Sequence, residues 1–340
     1  MKLKILLAAA AATAITAATA EPFKVITPLT AQEDGAMARL VNYDTGETID
    51  SVLVEDQAAV FQGEIDEPVL ARVMIDGKRI PVFVLESGTI SFSGAGGSAF
   101  GSMLNDQLRQ LGSRLSDIVA QSQEVTDPAV NDSLYRVYTA TIDSTMQANA
   151  DNALGLYIFL QSDASEAPLA ELQSAVSTNP VLAQSRRVQN LMSSATRREA
   201  TQPGKPFADF TITYDGVTSR LSDHVGQGHY TLVDFWASWC GPCRRQLPVL
   251  KSIYNTYRDQ GLEVLGVAVW DEPDATRAAI AEEGLPWQNI LNAQSVPTDI
   301  YGITGIPCII LFGPDGTILS RGKQGDELRA DVDAAMRSAR

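Results

Sequence analysis

Cys240 and Cys243 close the stretch VDFWASWCGPC, Val233 to Cys243, as a Cys-x-x-Cys. Thiols at positions i and i+3 of a helix share one face, within the roughly 4.4–6.8 Å Cα separation that a disulfide spans. Such a pair can cycle between dithiol and disulfide. The residues before it read as a buried strand and those after it as a helix, so Cys240 is expected at the helix start. Unsatisfied backbone N–H groups and the helix dipole favour negative charge there. A thiol in that position ionises more readily, and the thiolate is the reactive form. Arg244 and Arg245 follow directly and add positive potential. Cys243, one turn further in, is expected to be deeper and to stay a thiol until needed. On this geometry Cys240 attacks a partner's disulfide and Cys243 resolves the mixed disulfide. Pro242 suits the first helical turn, where its missing N–H costs little.

Other uses of the pair fit less well. A structural disulfide closing so short a loop gives little entropic stabilisation. A structural zinc site needs four ligands. The remaining candidates, Cys308, His224 and His229, form neither a second Cys-x-x-Cys nor a His pair at ligand spacing. No Cys-x-x-Cys-His is present, which removes covalent haem. No metal is expected, and no cofactor beyond the redox-active disulfide Cys240–Cys243. With only three cysteines in 340 residues, the fold must rest on its hydrophobic core rather than on disulfide staples.

The elements that must position the pair lie in residues 207–340, where strands and helices alternate. FADFTITYDG reads as an entry hairpin, HYTLVDFWA and LEVLGVAVW as buried strands, and IPCIILF with TILSRGK as a hairpin around GPDG. CRRQLPVLKSIYNTYRDQG, PDATRAAIAEEG and DELRADVDAAMRSAR read as helices, the first with Pro248 inside it. Alternation of this kind predicts a central sheet covered by helices. Residues 21–100 instead show short Val/Ile/Phe-rich runs broken by Thr45-Gly46, Asp76-Gly77 and Ser87-Gly88, the pattern of a small antiparallel β domain. The GAGG at Gly94 to Gly97 lacks a following P-loop Lys-Ser/Thr and reads as a joint. Residues 101–198 shift to helical spacing, with Met103, Leu104, Leu108, Leu111, Leu115 and Val119 on the expected apolar stripe of the first helix. Residues 199–206, rich in Pro and Gly, read as a linker.

The formal net charge of −15 sets an acidic surface against phosphate backbones and anionic lipid, so no nucleic-acid partner is expected. Lys2 and Lys4, the apolar run Ile5 to Ala18 and the small residues Ala18-Thr19-Ala20 read as a signal peptide over 1–20, cleaved before Glu21. The alternative, an uncleaved anchor, suits this short Ala/Thr-rich run less well. The expectation is therefore a soluble periplasmic protein.

VDFWASWCGPC, Pro248 beyond it and YGITGIP further on resemble thioredoxin-fold proteins. KPFADFTITYDGVTSRLSDHVG and the CRRxxP context resemble the exported TlpA/ResA branch of thiol-disulfide oxidoreductases. The resemblance covers Gly204 to Arg340. It implies an α/β fold, a central mixed sheet flanked by helices, and an enzyme that is a thiol-disulfide oxidoreductase of the protein-disulfide reductase type. It gives Cys240 the part of nucleophile, Cys243 that of resolving thiol and Pro307 that of a cis-proline. Asp234 matches a buried carboxylate; it either serves as base for Cys243 or only bonds backbone. Trp239, Gly241, Pro242, Ile306 and Pro307 match the surface that binds substrate, and Trp236 helps to shape it. Two departures stand out: LEVLGVAVW has no lysine to pair with Asp234, and Gln246 stands where many exported relatives have glutamate. Cys308 replaces a common threonine and is either a buried strand residue or a third thiol at the site. The Gly-Pro pair resembles reducing thioredoxins, which implies disulfide-containing protein substrates and a membrane-embedded thiol electron donor. Oxidase and isomerase directions stay open, as do a peroxiredoxin-type peroxidase, disfavoured by Ala237 where such enzymes carry threonine, and a redox-sensing partner-binding protein. The segment around DEPVLARVMIDGKR resembles the accessory domain that precedes many exported relatives. Oligomeric state is not set by these features.

Overall fold

The computed structural model describes residues 20–338, so the leader read over 1–20 lies outside the described residues except for Ala20. The chain divides into two compact units between Leu191 and Met192.

In the N-terminal unit the strands are β1 (Glu21–Pro28), β2 (Met37–Asn42), β3 (Thr48–Leu53), β4 (Ala58–Ile65), β5 (Val69–Ile75), β6 (Lys78–Arg79), β7 (Phe83–Leu85), β8 (Gly88–Phe92) and β9 (Ala99–Phe100). They form one sheet in the order β4-β1-β8-β9 and a second in the order β3-β2-β5-β6, with β7 also pairing β5. Alternation buries one face of each strand: Phe23 and Val25 on β1, Phe61 on β4, Leu40 on β2 and Val73 on β5 meet in one core. The pairings are antiparallel as expected, except that β1 and β8 run parallel. Hairpin signals report sequence neighbours, and no turn marks a pairing between strands so far apart.

The helices are α1 (Met103–Glu124), α2 (Pro128–Ala148), α3 (Ala153–Gln161), α4 (Leu169–Thr178), α5 (Pro180–Gln184) and α6 (Arg186–Ala200), the last running across the division between the units. Buried Glu86 caps α1 by accepting from the backbone N–H of Leu104 at 2.7 Å and of Asn105 at 3.2 Å. The inward stripe of α1 is Leu104, Leu111 and Ile118, while Met103 and Val119, placed on it by spacing, are exposed. Each sits next to a buried residue in sequence, and successive helical residues point about a quarter-turn apart.

The C-terminal unit opens with β10 (Thr211–Tyr214) and β11 (Val217–Arg220), a hairpin turning at Asp215-Gly216. Its main sheet is β14-β13-β12-β15-β16, from β12 (Tyr230–Trp236), β13 (Leu262–Ala268), β14 (Gln288–Ile290), β15 (Cys308–Phe312) and β16 (Ile318–Arg321). The central strand β12 runs parallel to β13 and antiparallel to β15, giving the mixed sheet that was expected. Around it lie α7 (Gly241–Tyr257), α8 (Pro273–Glu283), α9 (Val296–Tyr301) and α10 (Gly325–Ser338). Val233 and Phe235 pack in a core with Phe210, Tyr301 and Phe312. Leu232 packs on the opposite face with Leu247 and Leu250 of α7 and Val332 of α10. The period of two along β12 therefore puts Asp234 on the face that α7 covers.

The segment read as a linker is hydrogen-bonded into this unit. Gly204 donates to the Ile318 carbonyl at 2.8 Å, and the Thr201 hydroxyl to that of Tyr301 at 3.2 Å. The last turns of α6 lie so close that a β-carbon on Gly302 would stand 2.2 Å from the Ser194 carbonyl oxygen. Among the described residues no helix is long and apolar enough to cross a membrane.

Candidate functional site

The strand β12 ends at Trp236, and four residues later Cys240 stands at the N-cap of α7. Its Sγ accepts from the backbone N–H of Cys243 at 3.1 Å, the capping role that Ser or Asp usually fills. Cys240 and Cys243 are joined as a disulfide, S–S 2.02 Å with Cα atoms 5.3 Å apart. Both are buried in one cluster with Trp236, Ala237 and Ala279. Ile306 packs against that cluster, and the Ile306–Pro307 peptide bond is cis. The Ile306 carbonyl oxygen lies 3.8 Å from Cys240 Sγ. Trp239 is 62% exposed beside the pair, and Gly241 and Pro242 are exposed between the two cysteines. The tertiary structure thus brings Cys240, Cys243, Ile306 and Pro307 together, although 66 residues separate Cys240 from Ile306.

Asp234 is 1% exposed, and burial pushes its carboxyl up to about 7. Its neighbours across the sheet are Gly266 on β13 and Ile309 on β15, neither of which carries a charge. Its Oδ1 has no hydrogen-bond partner. Gly266 serves a further purpose: a β-carbon there would lie 1.9 Å from Oδ1 of Asn289. That oxygen accepts from the Trp236 indole N–H at 3.1 Å, so the bare glycine leaves room for the amide that fixes Trp236.

Several residues at the site escaped the sequence reading. Asp271, 5% exposed, accepts from the backbone N–H of Ser238 at 2.7 Å, from its hydroxyl at 2.8 Å and from the Thr276 hydroxyl at 2.7 Å. Trp239 donates its indole N–H to the Trp270 carbonyl at 2.8 Å. Trp270 takes φ 52°, a left-handed backbone uncommon for a bulky residue. The loop after β13 therefore holds the segment that leads into Cys240. In sequence, Asp271 reads as an ordinary acid at the start of α8, and only the distant Ser238 reveals its use.

The two arginines after Cys243 differ. Arg244 is bound to Glu282 and Glu283, each at 2.8 Å, so its charge is offset rather than left to act on the dithiol as expected. Those acids come from the end of α8, which the sequence places 38 and more residues away. Arg245 is exposed, and its Nη1 would lie 3.7 Å from a β-carbon on Gly241. Gln246 accepts from the backbone N–H of Gly325 at 3.0 Å, which ties α7 to the start of α10.

Cys308 begins β15, buried against Phe235, and takes part in no disulfide. His224 and His229 both meet Glu263, at 2.6 and 2.7 Å. Among the described residues no cluster of three or more His, Cys, Asp or Glu is placed to hold a metal ion.

Residues 203–321 match the AhpC/TSA family model, and residues 23–117 match that of a domain of unknown function, DUF4369. The chain is 31% identical over 125 residues to the thiol-disulfide oxidoreductase ResA of Geobacillus thermodenitrificans, covering 36% of this chain and 70% of that protein. It is 32% identical over 125 residues to ResA of Geobacillus kaustophilus, with the same coverage of 36% and 70%. A crystal structure of the thioredoxin domain of a thiol-disulfide oxidoreductase from Bacteroides vulgatus is 32% identical, covering 39% of this chain and 96% of that one at a TM-score of 0.35. A thioredoxin-like unit with its Cys-x-x-Cys at a helix start, a β-rich domain ahead of it and this likeness to ResA agree: the chain belongs to the ResA-like thiol-disulfide oxidoreductases.

Proposed function

We propose that this protein reduces disulfides in other proteins through Cys240 and Cys243, in the periplasm. The observation that carries the reading is the position of Cys240, at the N-cap of α7 with the Ile306 carbonyl 3.8 Å from its sulfur. In the reduced protein the Cys243 N–H and the helix dipole stabilise a Cys240 thiolate. That thiolate attacks one sulfur of a substrate disulfide; the S–S bond breaks, and the other substrate sulfur leaves as a thiolate that takes up a proton. Cys243 then gives its proton to the Asp234 carboxylate, which titrates near neutrality and can act as a base there. The Cys243 thiolate attacks Cys240 Sγ; the bond from Cys240 to the substrate sulfur breaks, that sulfur leaves as a thiolate and takes up the proton held by Asp234, and the Cys240–Cys243 disulfide remains. Two electrons have passed to the substrate.

Trp239, Gly241, Pro242, Ile306 and Pro307 form the surface on which the substrate segment lies, with Ile306 next to the attacking sulfur. A thiol donor must return two electrons per cycle, and outside the cytoplasm a membrane-embedded dithiol protein fits that need. The reducing direction is supported by the loss of one cation from the Cys240 thiolate's surroundings, which leaves the helix N-terminus and Arg245 to stabilise it. Strong oxidants of this fold type owe their potential to a well-stabilised reduced form. Here Arg244 is neutralised by two glutamates. Asp234 adds no stabilising positive charge.

The reduction potential of the Cys240–Cys243 pair tests the reading. A value near about −270 mV supports a reductase, and one near about −120 mV overturns it. Cys243→Ser should accumulate mixed disulfides with substrates in a periplasmic fraction, released by dithiothreitol, and Cys240→Ser should accumulate none.

A further inference from the structure

We infer that Arg245 selects the substrate, favouring disulfides that carry a carboxylate side chain next to the attacked cysteine. The inference rests on the proposed reduction at Cys240. Arg245 lies four residues after Gly241 on α7, hence on the same helix face. Helical side chains lean back toward the N-terminus, over the preceding turn. At Gly241 no side chain obstructs that path, and Nη1 of Arg245 comes to within 3.7 Å of where a β-carbon would stand. The guanidinium therefore rests at the exposed end of α7, over the residue that follows Cys240.

Its neighbour shows the contrast. Arg244 is held by Glu282 and Glu283, whereas Arg245 forms no ion pair with any described residue. Arg245 is thus a cation left open at the mouth of the site, on a chain whose net charge is −15. A guanidinium presents a planar fork of donors that matches a carboxylate in two bonds. A substrate segment crossing Gly241 and Pro242 to reach Cys240 passes this fork. A basic side chain at the same place meets like charge, so the residue discriminates in both directions.

The test uses the full chain and three disulfide-bonded peptides, identical except for Glu, Gln or Lys beside the attacked cysteine. An exposed ion pair of this kind is worth at most about fivefold in kcat/KM. The wild-type protein should therefore prefer the Glu peptide to the Gln peptide by several-fold, chiefly through KM, and should disfavour the Lys peptide. The preference should fade in about 1 M salt, where the Debye length is about 3 Å. Arg245→Gln should erase the ranking, Arg245→Glu should invert it, and Arg245→Lys, which keeps the charge but not the fork, should retain only part of it. Equal rates on all three peptides with the wild-type protein overturn the inference. A loss in Arg245→Gln that is the same for every peptide, with a shifted Cys240 thiol titration, overturns it too, since the residue would then act on the dithiol. If the wild-type protein reduces no peptide and its potential lies near about −120 mV, the reductase reading itself has failed. A normal potential with an unranked but measurable reduction isolates the failure to Arg245.

Discussion

At Asp234 a single carboxyl joins chemistry to stability. Burial raises its titration from an ordinary 3.8 to about 7, and no side chain across the sheet offers a compensating charge. Over that range the folded chain keeps a proton that the unfolded chain has released, so stability falls as pH rises. The contribution is complete below the ordinary carboxylate value, declines up to about pH 7, and is absent above it. Asp234→Asn needs no proton, and it should unfold with a free energy higher than wild type at pH 8, by up to about 4 kcal/mol. Urea titrations should show that gain vanish toward pH 4, and parallel profiles for the two proteins would refute it. The same variant should lose the rise in single-turnover release of substrate from Cys240 through about pH 7. Cys240 and Cys243 were legible as residue types at fixed spacing, and Asp234 only through the resemblance to thioredoxin-fold proteins. Which sheet neighbour Asp234 would meet was not, because the missing lysine in LEVLGVAVW leaves the occupant of that place undefined until the register puts Gly266 there.

The dithiol sits at the join of β12 and α7, and the loop after β13 holds that join in place. Asp271 gathers Ser238 and Thr276 on one carboxylate, and Trp270 lends its carbonyl to Trp239. Removing an acceptor from buried donors costs roughly 1–3 kcal/mol for each group left unpaired. Asp271→Ala should therefore lower the stability of the C-terminal unit by roughly 1–3 kcal/mol, because the Ser238 N–H loses its partner. Chemical unfolding followed by tryptophan emission measures the loss. Asp271→Asn, which keeps one acceptor, should lose less; an equal loss in both variants would mean that the charge rather than the bonding holds the loop. Periodicity identified β12, β13 and α7 because long apolar runs leave few alternatives. It could not identify the clamp, because Ser238 and Asp271 are joined by 33 residues of chain that say nothing about their contact.

On the scale of the whole chain, each unit has its own core, and the family matches divide the same way, at 23–117 and 203–321. The C-terminal unit nevertheless begins before its family match does. The last turns of α6 press on Gly302, and Arg321 donates to the carbonyls of Thr201 and Tyr301 at 3.1 and 2.7 Å. A fragment starting at Met192 should accordingly melt higher than one starting at Pro203, by about 5 °C or more. Differential scanning calorimetry of the two fragments decides it, and equal midpoints would show that α6 adds nothing to this unit. The amino-acid sequence by itself determined the chemistry available, a Cys-x-x-Cys at a strand-to-helix junction with an X-Pro to follow, since spacing and residue type suffice to define a dithiol. It also determined the order of strands and helices, because burial imposes periods of two and of three to four on the apolar residues. The resemblance implied Ile306 beside the dithiol, while only the tertiary structure decided that Arg244 is neutralised and Arg245 is not, and that residues 199–206 are hydrogen-bonded into the C-terminal unit. Each of these depends on a partner tens of residues away, and no local pattern encodes which distant group will fill a given space.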